Sequence, residues 1–377
     1  MTIEIKEVKT NKDLKNFVLF PFSHYRDNDF WVPPLIKNEI HSLRPDKNPA
    51  FDYCNARFWL AYKNNRLVGR IGGIYNEKFI AKWNINFSNF TRFDFTDDKE
   101  VSGALLEKVR QWSLKQGAEG MHGPLGFTNF DQQGMLIKGF EEVPTIASVY
   151  NFDYYPRHME HFGFEKEIDY VEYEVKSPEK IPEKAERLSQ IVLKRFHLRL
   201  FKAKSKKELL PYAEQIFDVV NKSYRDIFYA VELSKKQIEI FKKQYLSYID
   251  PDFVSLVLDK NDNVVGFAII MASLSEAFQK AGGRLFPFGF IHILRALKNP
   301  KKLDLYLVGI IPEYQNKGVN AAIMADLTQT ALQKGIQTTE TNSELETNKK
   351  VQAFWRYYDA RLHKRKRVYK RAVSSSF

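Results

Sequence analysis

The run Leu303-Asp-Leu-Tyr-Leu-Val-Gly-Ile-Ile-Pro-Glu-Tyr-Gln-Asn-Lys-Gly-Val-Asn-Ala-Ala-Ile-Met-Ala-Asp-Leu327 decides the fold. It reads as an apolar strand, a turn at Pro312, a short polar loop with one glycine, and a helix. Residues 315–320 open that helix. A helix start presents N–H groups that have no partner within the helix, at the positive end of its dipole. A pyrophosphate fits such a place, with Gly318 allowing close approach and Lys317 adding charge. Taken alone, the pattern also describes an ordinary strand–turn–helix connection.

The rest of the chain narrows the choice. At about 150 residues per domain, 377 residues predict two domains or one large one. With 44% hydrophobic and 28% charged residues, chain-wide disorder is excluded. The longest apolar run, residues 264–271, is strand-sized and far short of the roughly 18 residues that span a bilayer. The first residues, Met-Thr-Ile-Glu-Ile-Lys-Glu, carry acids and no apolar stretch, unlike a signal peptide. Cys54 is the single cysteine, which excludes an internal disulfide, a cysteine zinc cluster and a CxxC pair. These features lead us to expect a cytoplasmic location. Lys and Arg number 58 against 46 acids, a net +12, which favours anionic partners: coenzymes, nucleotides, nucleic acid or an acidic membrane surface. Aromatic residues reach 14%, with 30 Phe, and are read as a bulky core rather than an apolar ligand site.

The clearest break is Ser177-Pro-Glu-Lys-Ile-Pro-Glu-Lys-Ala-Glu186, where two prolines end the strand pattern of residues 170–175 and Pro182 suits a helix start. It predicts domains at 1–176 and 177–377. The halves repeat weakly. Ser23-His24-Tyr25-Arg26-Asp27 is echoed by Lys222-Ser223-Tyr224-Arg225-Asp226, and a hairpin pattern at residues 58–69 is echoed at 253–266. Ser205-Lys-Lys-Glu208 and Ser234-Lys-Lys-Gln237 read as capping boxes. Strands at residues 92–95 and 303–310 each precede a helix closed by Gly117 or Gly335. The order implies a mixed α/β (α+β) unit used twice.

The opening run resembles motif A of the GNAT acyltransferase superfamily, roughly an apolar strand, Val-x-Pro-x-Tyr-Gln/Arg-x-x-Gly-x-Gly/Ala, then a helix. Ile310-Ile-Pro312-Glu-Tyr314-Gln315-Asn-Lys-Gly318 matches it, and Asn320 stands where the family usually has Gly or Ala. Asn348-Lys-Lys-Val-Gln-Ala-Phe354-Trp355 resembles the later GNAT pattern, an Asn followed by a short helix ending in Leu-Tyr. The resemblance implies two tandem GNAT-like domains, each a mixed, mostly antiparallel sheet flanked by helices. It also implies acetyl-CoA or a longer acyl-CoA as co-substrate, and no metal. The pyrophosphate would lie on the amides of Gln315, Asn316, Lys317, Gly318, Val319 and Asn320. The pantetheine arm would run along Val308 and Ile310 and meet Asn348, with the oxyanion on a backbone N–H of residues 308–310. An amine would attack the thioester directly. Asp304, six residues before Ile310, falls where many GNATs carry the Glu that activates the amine; Glu340, Glu344 and Glu346 are alternates. Trp355 occupies the place of the family's leaving-group Tyr, and indole is no acid there. Tyr358 is the nearby candidate for that role, with Tyr357 beside it.

The first half resembles the family in layout, including His161-Phe-Gly163-Phe164 near its close. Its corresponding loop, Thr96-Asp97-Asp98-Lys-Glu100, is acidic and repels phosphate, so it is assigned no coenzyme. Residues 121–131 form either an acceptor loop or a structural turn. Some bacterial GNAT-like proteins N-acylate long-chain bases, so the implied acceptor is a small-molecule amine or a lipid amine. His158 and His161 share a helix face and are read as surface rather than metal ligands. The run Arg361-Leu-His-Lys-Arg-Lys-Arg-Val-Tyr-Lys-Arg371 is read as a mostly solvated strand, with coenzyme phosphate or membrane contact next and nucleic acid disfavoured. Residues 282–300 form an insertion whose apolar, basic-edged part at 290–298 is a lid, an interfacial helix with peripheral membrane contact, or a packed helix. A non-catalytic GNAT-like binding protein and a nucleic-acid-binding protein are the competing readings.

Overall fold

The computed structural model describes residues 2–245, 248–374 and 376–377. In chain order the strands are β1 (Ile3–Glu7), β2 (Cys54–Lys63), β3 (Arg66–Asn76), β4 (Phe87–Phe95), β5 (Gly120–Gly123), β6 (Met135–Lys138), β7 (Glu165–Lys176), β8 (Arg199–Phe201), β9 (Val254–Leu258), β10 (Val264–Ala272), β11 (Lys302–Ile310), β12 (Thr338–Thr341), β13 (Glu344–Leu345) and β14 (Ala360–Ala372). The helices used below are α1 (Asn11–His24), α2 (Lys99–Lys115), α3 (Glu183–Arg195), α4 (Ala213–Ser223), α5 (Gly289–Lys298), α6 (Val319–Gln333) and α7 (Lys349–Phe354). The architecture is the mixed α/β arrangement that the alternation of strand and helix patterns implied.

Two compact units form. One comprises Met1–Val171, Ser275–Ile293 and His363–Phe377; the other comprises Glu172–Leu274 and Leu294–Leu362. The predicted boundary at 176/177 falls within the second.

In the first unit, β1, β2, β3 and β4 pair antiparallel in succession, β5 joins β4 in parallel, and β14 joins β5 antiparallel. Asn64 and Asn65 turn the β2–β3 hairpin with φ of 52° and 61°. Two left-handed residues are what a tight hairpin with the right twist demands, and Asn tolerates that region. Trp59, Phe90, Phe95, Leu105, Val109 and Tyr369 form the core between this sheet and α2. β4 runs longer than the predicted strand at residues 92–95 because its earlier residues also pair, with β3 and β5. Beneath α1, Arg70 Nε donates to Asp94 Oδ2 at 2.8 Å, Tyr25 Oη donates to Asp94 Oδ1 at 2.8 Å, and Arg70 Nη1 donates to the Phe17 carbonyl at 2.9 Å.

The basic run on β14 departs from expectation. Lys364 and Lys366 are buried, donating to the Val143 carbonyl at 3.3 Å and Ser148 Oγ at 2.9 Å. Arg365 and Arg367 both reach the buried Asp169 carboxylate. Strand alternation turned half of these cations inward, where partners wait, instead of into solvent.

In the second unit the order is β7–β12–β11–β10–β9–β8, with β13 on β7. The β11–β12 pair is parallel and the other pairs along that order are antiparallel. α6 covers one face: its Val319, Ile323, Met324 and Leu327 pack in one core with Val257, Ala268, Leu303 and Leu305. α6 is apolar nearly all round because α3 lies against it as well. Pro182 is the N-cap residue of α3, one position before the first turn that it was expected to join. Ser234 and Gln237 form the expected box, with Gln237 Oε1 accepting the Ser234 N–H. Ser205 makes no side-chain cap, because Glu208 reaches past it to the Lys204 N–H.

Asp94→Ala would strand the Arg70 guanidinium, whose side chain is about a tenth exposed, without its carboxylate. Removing one partner of a buried pair costs about 3–5 kcal/mol. Urea unfolding of this variant is expected to show a loss of that size.

Candidate functional site

β11 is paired on both edges over its first residues only. Lys302, Leu303, Asp304 and Leu305 face Thr338, Thr339, Glu340 and Thr341 in parallel. Asn342 closes that ladder, its N–H donating to the Leu305 carbonyl at 3.2 Å and its Nδ2 to the Tyr306 carbonyl at 3.3 Å. From Leu307 to Ile310 the pairing continues with β10. Ile269 faces Leu307 and Ile270 faces Leu305, so Tyr306 is an extra residue in β11. Such a bulge bends its strand and increases the local twist. Here it coincides with the point where β12 leaves. Tyr224, at the end of α4, donates its hydroxyl to the Val308 carbonyl at 3.0 Å, and burial pushes that hydroxyl up to about 12. The repeated Tyr-Arg-Asp motif was the sequence signal for Tyr224.

The strand feeds a one-turn helix, Pro312–Tyr314, and then the loop. Gln315, Asn316 and Lys317 are exposed. Gln315 Nε2 donates back to the Ile310 carbonyl at 3.0 Å. Asn316 has φ 60°, and Lys350 Nζ from α7 donates to its Oδ1 at 2.9 Å. Lys317 Nζ lies 5.4 Å from the Tyr314 ring centre and 5.2 Å from that of Phe196. Gly318 is the N-cap of α6 with φ 83°, and no side chain caps the helix. The first-turn amides of Val319 and Asn320 are therefore left for water or a ligand. Val319 itself is buried and Asn320 half-buried.

Gly318 also has a packing role that the sequence did not show. A Cβ there would sit 2.9 Å from Val192 Cγ2 of α3, so the missing side chain makes room for a helix. The left-handed φ adds a second reason for glycine.

Asn348 caps α7, its side chain accepting the Val351 N–H at 3.4 Å. Trp355 ends that segment buried, and its Nε1 donates to Glu344 Oε1 at 2.8 Å. Glu344 follows the strand parting by two residues. Its Oε2 is buried without a hydrogen-bond partner among the described residues. Burial pushes Glu344 up to about 7; the Trp355 hydrogen bond opposes the shift and the nearby Glu172 carboxylate adds to it. Ser343 Oγ donates to Glu172 Oε1 at 2.8 Å, which fixes that neighbour. Glu344 had stood only as an alternate in the sequence, because burial beside a second acid leaves no mark on a local motif.

Asp304 is buried within the paired part of β11, opposite Met271 on one side and Glu340 on the other. Lys302 Nζ neutralises Glu340 at 3.1 Å, and Arg361 reaches Glu174 at 3.1 Å. Tyr358 is half-buried, 3.4 Å from Thr328 Oγ1 of α6, and burial raises its hydroxyl above the ordinary value. Tyr358, Thr328, Trp355, Met324, Leu305 and Ile270 line a mainly apolar pocket. Tyr357 is exposed.

In the first unit the corresponding helix start is already occupied. Asp98 caps α2 by accepting the Glu100 N–H at 2.9 Å, and Lys63 Nζ pairs with it at 2.6 Å. Residues 121–131 are held as a turn: Asp131 accepts the N–H groups of Phe127 and Thr128 at 2.7 and 2.9 Å. His158 is buried between Ser102 Oγ and Asp97, which corrects its reading as a surface residue.

The Acetyltransferase (GNAT) family model matches residues 215–358, a stretch that contains β11, the loop, α6 and Trp355. These residues form a GNAT domain. The matched model is that of an acetyltransferase family, which supports an N-acyltransferase. Protein YghO of Escherichia coli (strain K12) is 26% identical over 98% of the chain and 95% of its own length. The bacterial ceramide synthase of Caulobacter vibrioides (strain NA1000 / CB15N) is 22% identical over 98% of both chains. Among solved structures, a tandem GNAT protein from the clavulanic acid biosynthesis pathway aligns over the whole of both chains with a TM-score of 0.55 and 10% identity. The GCN5-related N-acetyltransferase from Sphaerobacter thermophilus aligns over 100% of this chain and 97% of its own, with a TM-score of 0.51 and 9% identity. These two show the tandem fold. The GNAT domain thus sits on the part of the chain where the strands part.

The raised Glu344 has a consequence for stability. Its folded value of about 7 exceeds the ordinary 4.5, so the native state binds more protons than the unfolded chain between those values. Stability therefore falls as pH rises through that window and levels off above it. Glu344→Gln removes this charge. Its stabilisation is expected to be small at pH 4 and to approach about 3 kcal/mol at pH 8. Melting at the two pH values checks this, and an equal shift at both would contradict it.

Proposed function

We propose that the GNAT domain binds an acyl-CoA and transfers its acyl group to an amine by direct attack. The observation that carries this reading is the parting of β11 from β12 next to a helix start with no side-chain cap, with Lys317 and Lys350 close by. The pyrophosphate would lie on the amides of residues 316–320, with Lys317 and Lys350 supplying charge; the Gln315 N–H, expected to join them, is taken by the Pro312 carbonyl at 3.2 Å. The pantetheine arm would follow β11 past Val308 and Ile310, on the side that β12 leaves, toward Asn348. Coenzyme binding is assigned to residues 177–377 and none to residues 1–176, where Asp98 fills the matching helix start.

The neutral amine nitrogen attacks the thioester carbonyl, and a backbone N–H among residues 308–310 holds the oxyanion. The N–C bond forms, the C–S bond breaks, and the amine gives up a proton. We assign that proton to Glu344 rather than Asp304. Glu344 lies just past the parting, has one unpartnered oxygen and titrates near neutrality, where a general base works best. Asp304 lies within the paired sheet. Tyr358, protonated at neutral pH, is the proton donor to the departing thiolate. The pocket at Tyr358, Trp355 and Leu305 would receive the acyl end.

A longer acyl donor and a lipid amine are the favoured refinement. The support is the full-length likeness to the Caulobacter bacterial ceramide synthase, ceramide being an N-acylated long-chain amine.

Thermal melting with CoA, acetyl-CoA and palmitoyl-CoA tests donor binding. At 100 times its dissociation constant a ligand stabilises by about 2.7 kcal/mol, a shift of a few degrees. Lys317→Glu with Lys350→Glu is expected to abolish the shift; Gly318 is unsuitable because its substitution disturbs α3. A larger shift with palmitoyl-CoA supports the lipid reading, and no shift with any of the three overturns acyl-CoA binding.

Thiol release with a panel of small and long-chain amines tests the base. The rate is expected to rise with pH to a plateau above about 7. Glu344→Gln should lower kcat/KM by about 10²–10⁴-fold and remove that limb. A limb that survives in Glu344→Gln rejects the assignment.

A further inference from the structure

The insertion at residues 282–300 presents apolar side chains to solvent. Phe286 is 79% exposed, Phe288 70%, Phe290 37% and Leu294 59%. These three phenylalanines are the only exposed ones among the described residues of a chain with 30. Such a cluster of bulky apolar side chains marks a contact surface.

The root of the insertion is held firmly. Gly283 gives its carbonyl to the Ile36 N–H at 3.0 Å, and its α-carbon lies against Phe22 and Pro34, where a Cβ would clash. Gln279 Nε2 donates to the Asp29 carbonyl at 2.7 Å, and Ser275 Oγ to the Pro144 carbonyl at 2.7 Å. Within α5, Ile293 is buried. The exposed face carries Phe290 and Leu294, four residues apart and so on one stripe, and then Arg295 and Lys298. The tips are thus exposed by the geometry of a fixed base.

Charge identifies what covers the patch. From Arg284 through Lys302 there is no acid, and Arg284, Arg295, Lys298 and Lys301 are all exposed. An apolar centre with cations at its edge matches the interface of an anionic bilayer: rings enter the acyl boundary and cations meet phosphate. No described helix is long and apolar enough to cross a membrane, so the contact would be peripheral. We propose that Phe286, Phe288, Phe290 and Leu294 insert into the surface of an anionic membrane, with Arg295 and Lys298 on lipid headgroups.

Cosedimentation of the full chain with phosphatidylcholine vesicles, with and without phosphatidylglycerol, tests this. Binding is expected with phosphatidylglycerol and is expected to fall with salt. Phe286→Ser with Phe288→Ser should weaken binding at least about tenfold, since each buried ring contributes roughly that factor or more. Arg295→Glu with Lys298→Glu should weaken it comparably. Because these side chains are exposed, melting temperatures should match the parent, which separates lost binding from lost folding. No binding by the parent, or equal binding by both variants, overturns the proposal. Sedimentation velocity supplies the competing outcome: a dimer that the Phe286→Ser, Phe288→Ser variant loses, without vesicle binding, would show that a second copy covers the patch. Donor melting shifts do not depend on this surface, so failure here leaves the acyl-CoA reading intact.

Discussion

One extra residue governs the second unit. Tyr306 lengthens β11 by one position relative to β10, which stays paired on both sides of it. Parallel strands hold each other by evenly spaced, slanted hydrogen bonds, and a local bend interrupts that series. β12 ends its ladder there, and Asn342 satisfies the last carbonyls of the paired stretch. The chain must then turn away, and Ser343 and Glu344 emerge where it does. Trp355 fixes Glu344, Ser343 fixes Glu172, and α6 supports the whole from one face. The site's electrostatics follow: two acids come together in a place that burial has made poor in water, and one of them holds its proton to near neutrality.

Much of this was legible. Proline after an apolar strand, a glycine before a long apolar helix and Lys between them specify strand, turn and helix by local rules. The spacing to Asn348 and Trp355 then placed the second helix. Hairpins at Asn64-Asn65 and around Asp262 were legible for the same reason, since left-handed turn residues announce themselves. The parts that escaped depend on what lies across from a residue. Gly318 also packs against Val192, more than a hundred positions away in sequence, and that part of its role left no local mark. Lys364 and Lys366 look like solvated cations until Val143 and Ser148 are found beside them. His158 looks like a surface residue until Ser102 and Asp97 close on it.

The two halves differ in the same physical terms. Each places a helix after a central strand. One start is filled by Asp98 with Lys63 upon it, whereas the other carries a glycine and no cap. A carboxylate at a helix start does locally what a bound phosphate would do, satisfying the same amides and the same dipole. A single side chain thus separates a helix start capped by its own carboxylate from one that no side chain caps.

The chain order of the units carries a consequence for biogenesis. The first unit takes its early residues from the beginning of the chain but includes His363–Phe377, whose strand pairs with β5 and whose Val373 N–H donates to the Glu119 carbonyl. The edge of β5 that β14 will occupy is made early in translation and covered late. Domains emerging from the ribosome usually fold in order as they appear. This one must wait until residues 363–377 have been made, with an uncovered strand edge exposed to other nascent chains in the interval.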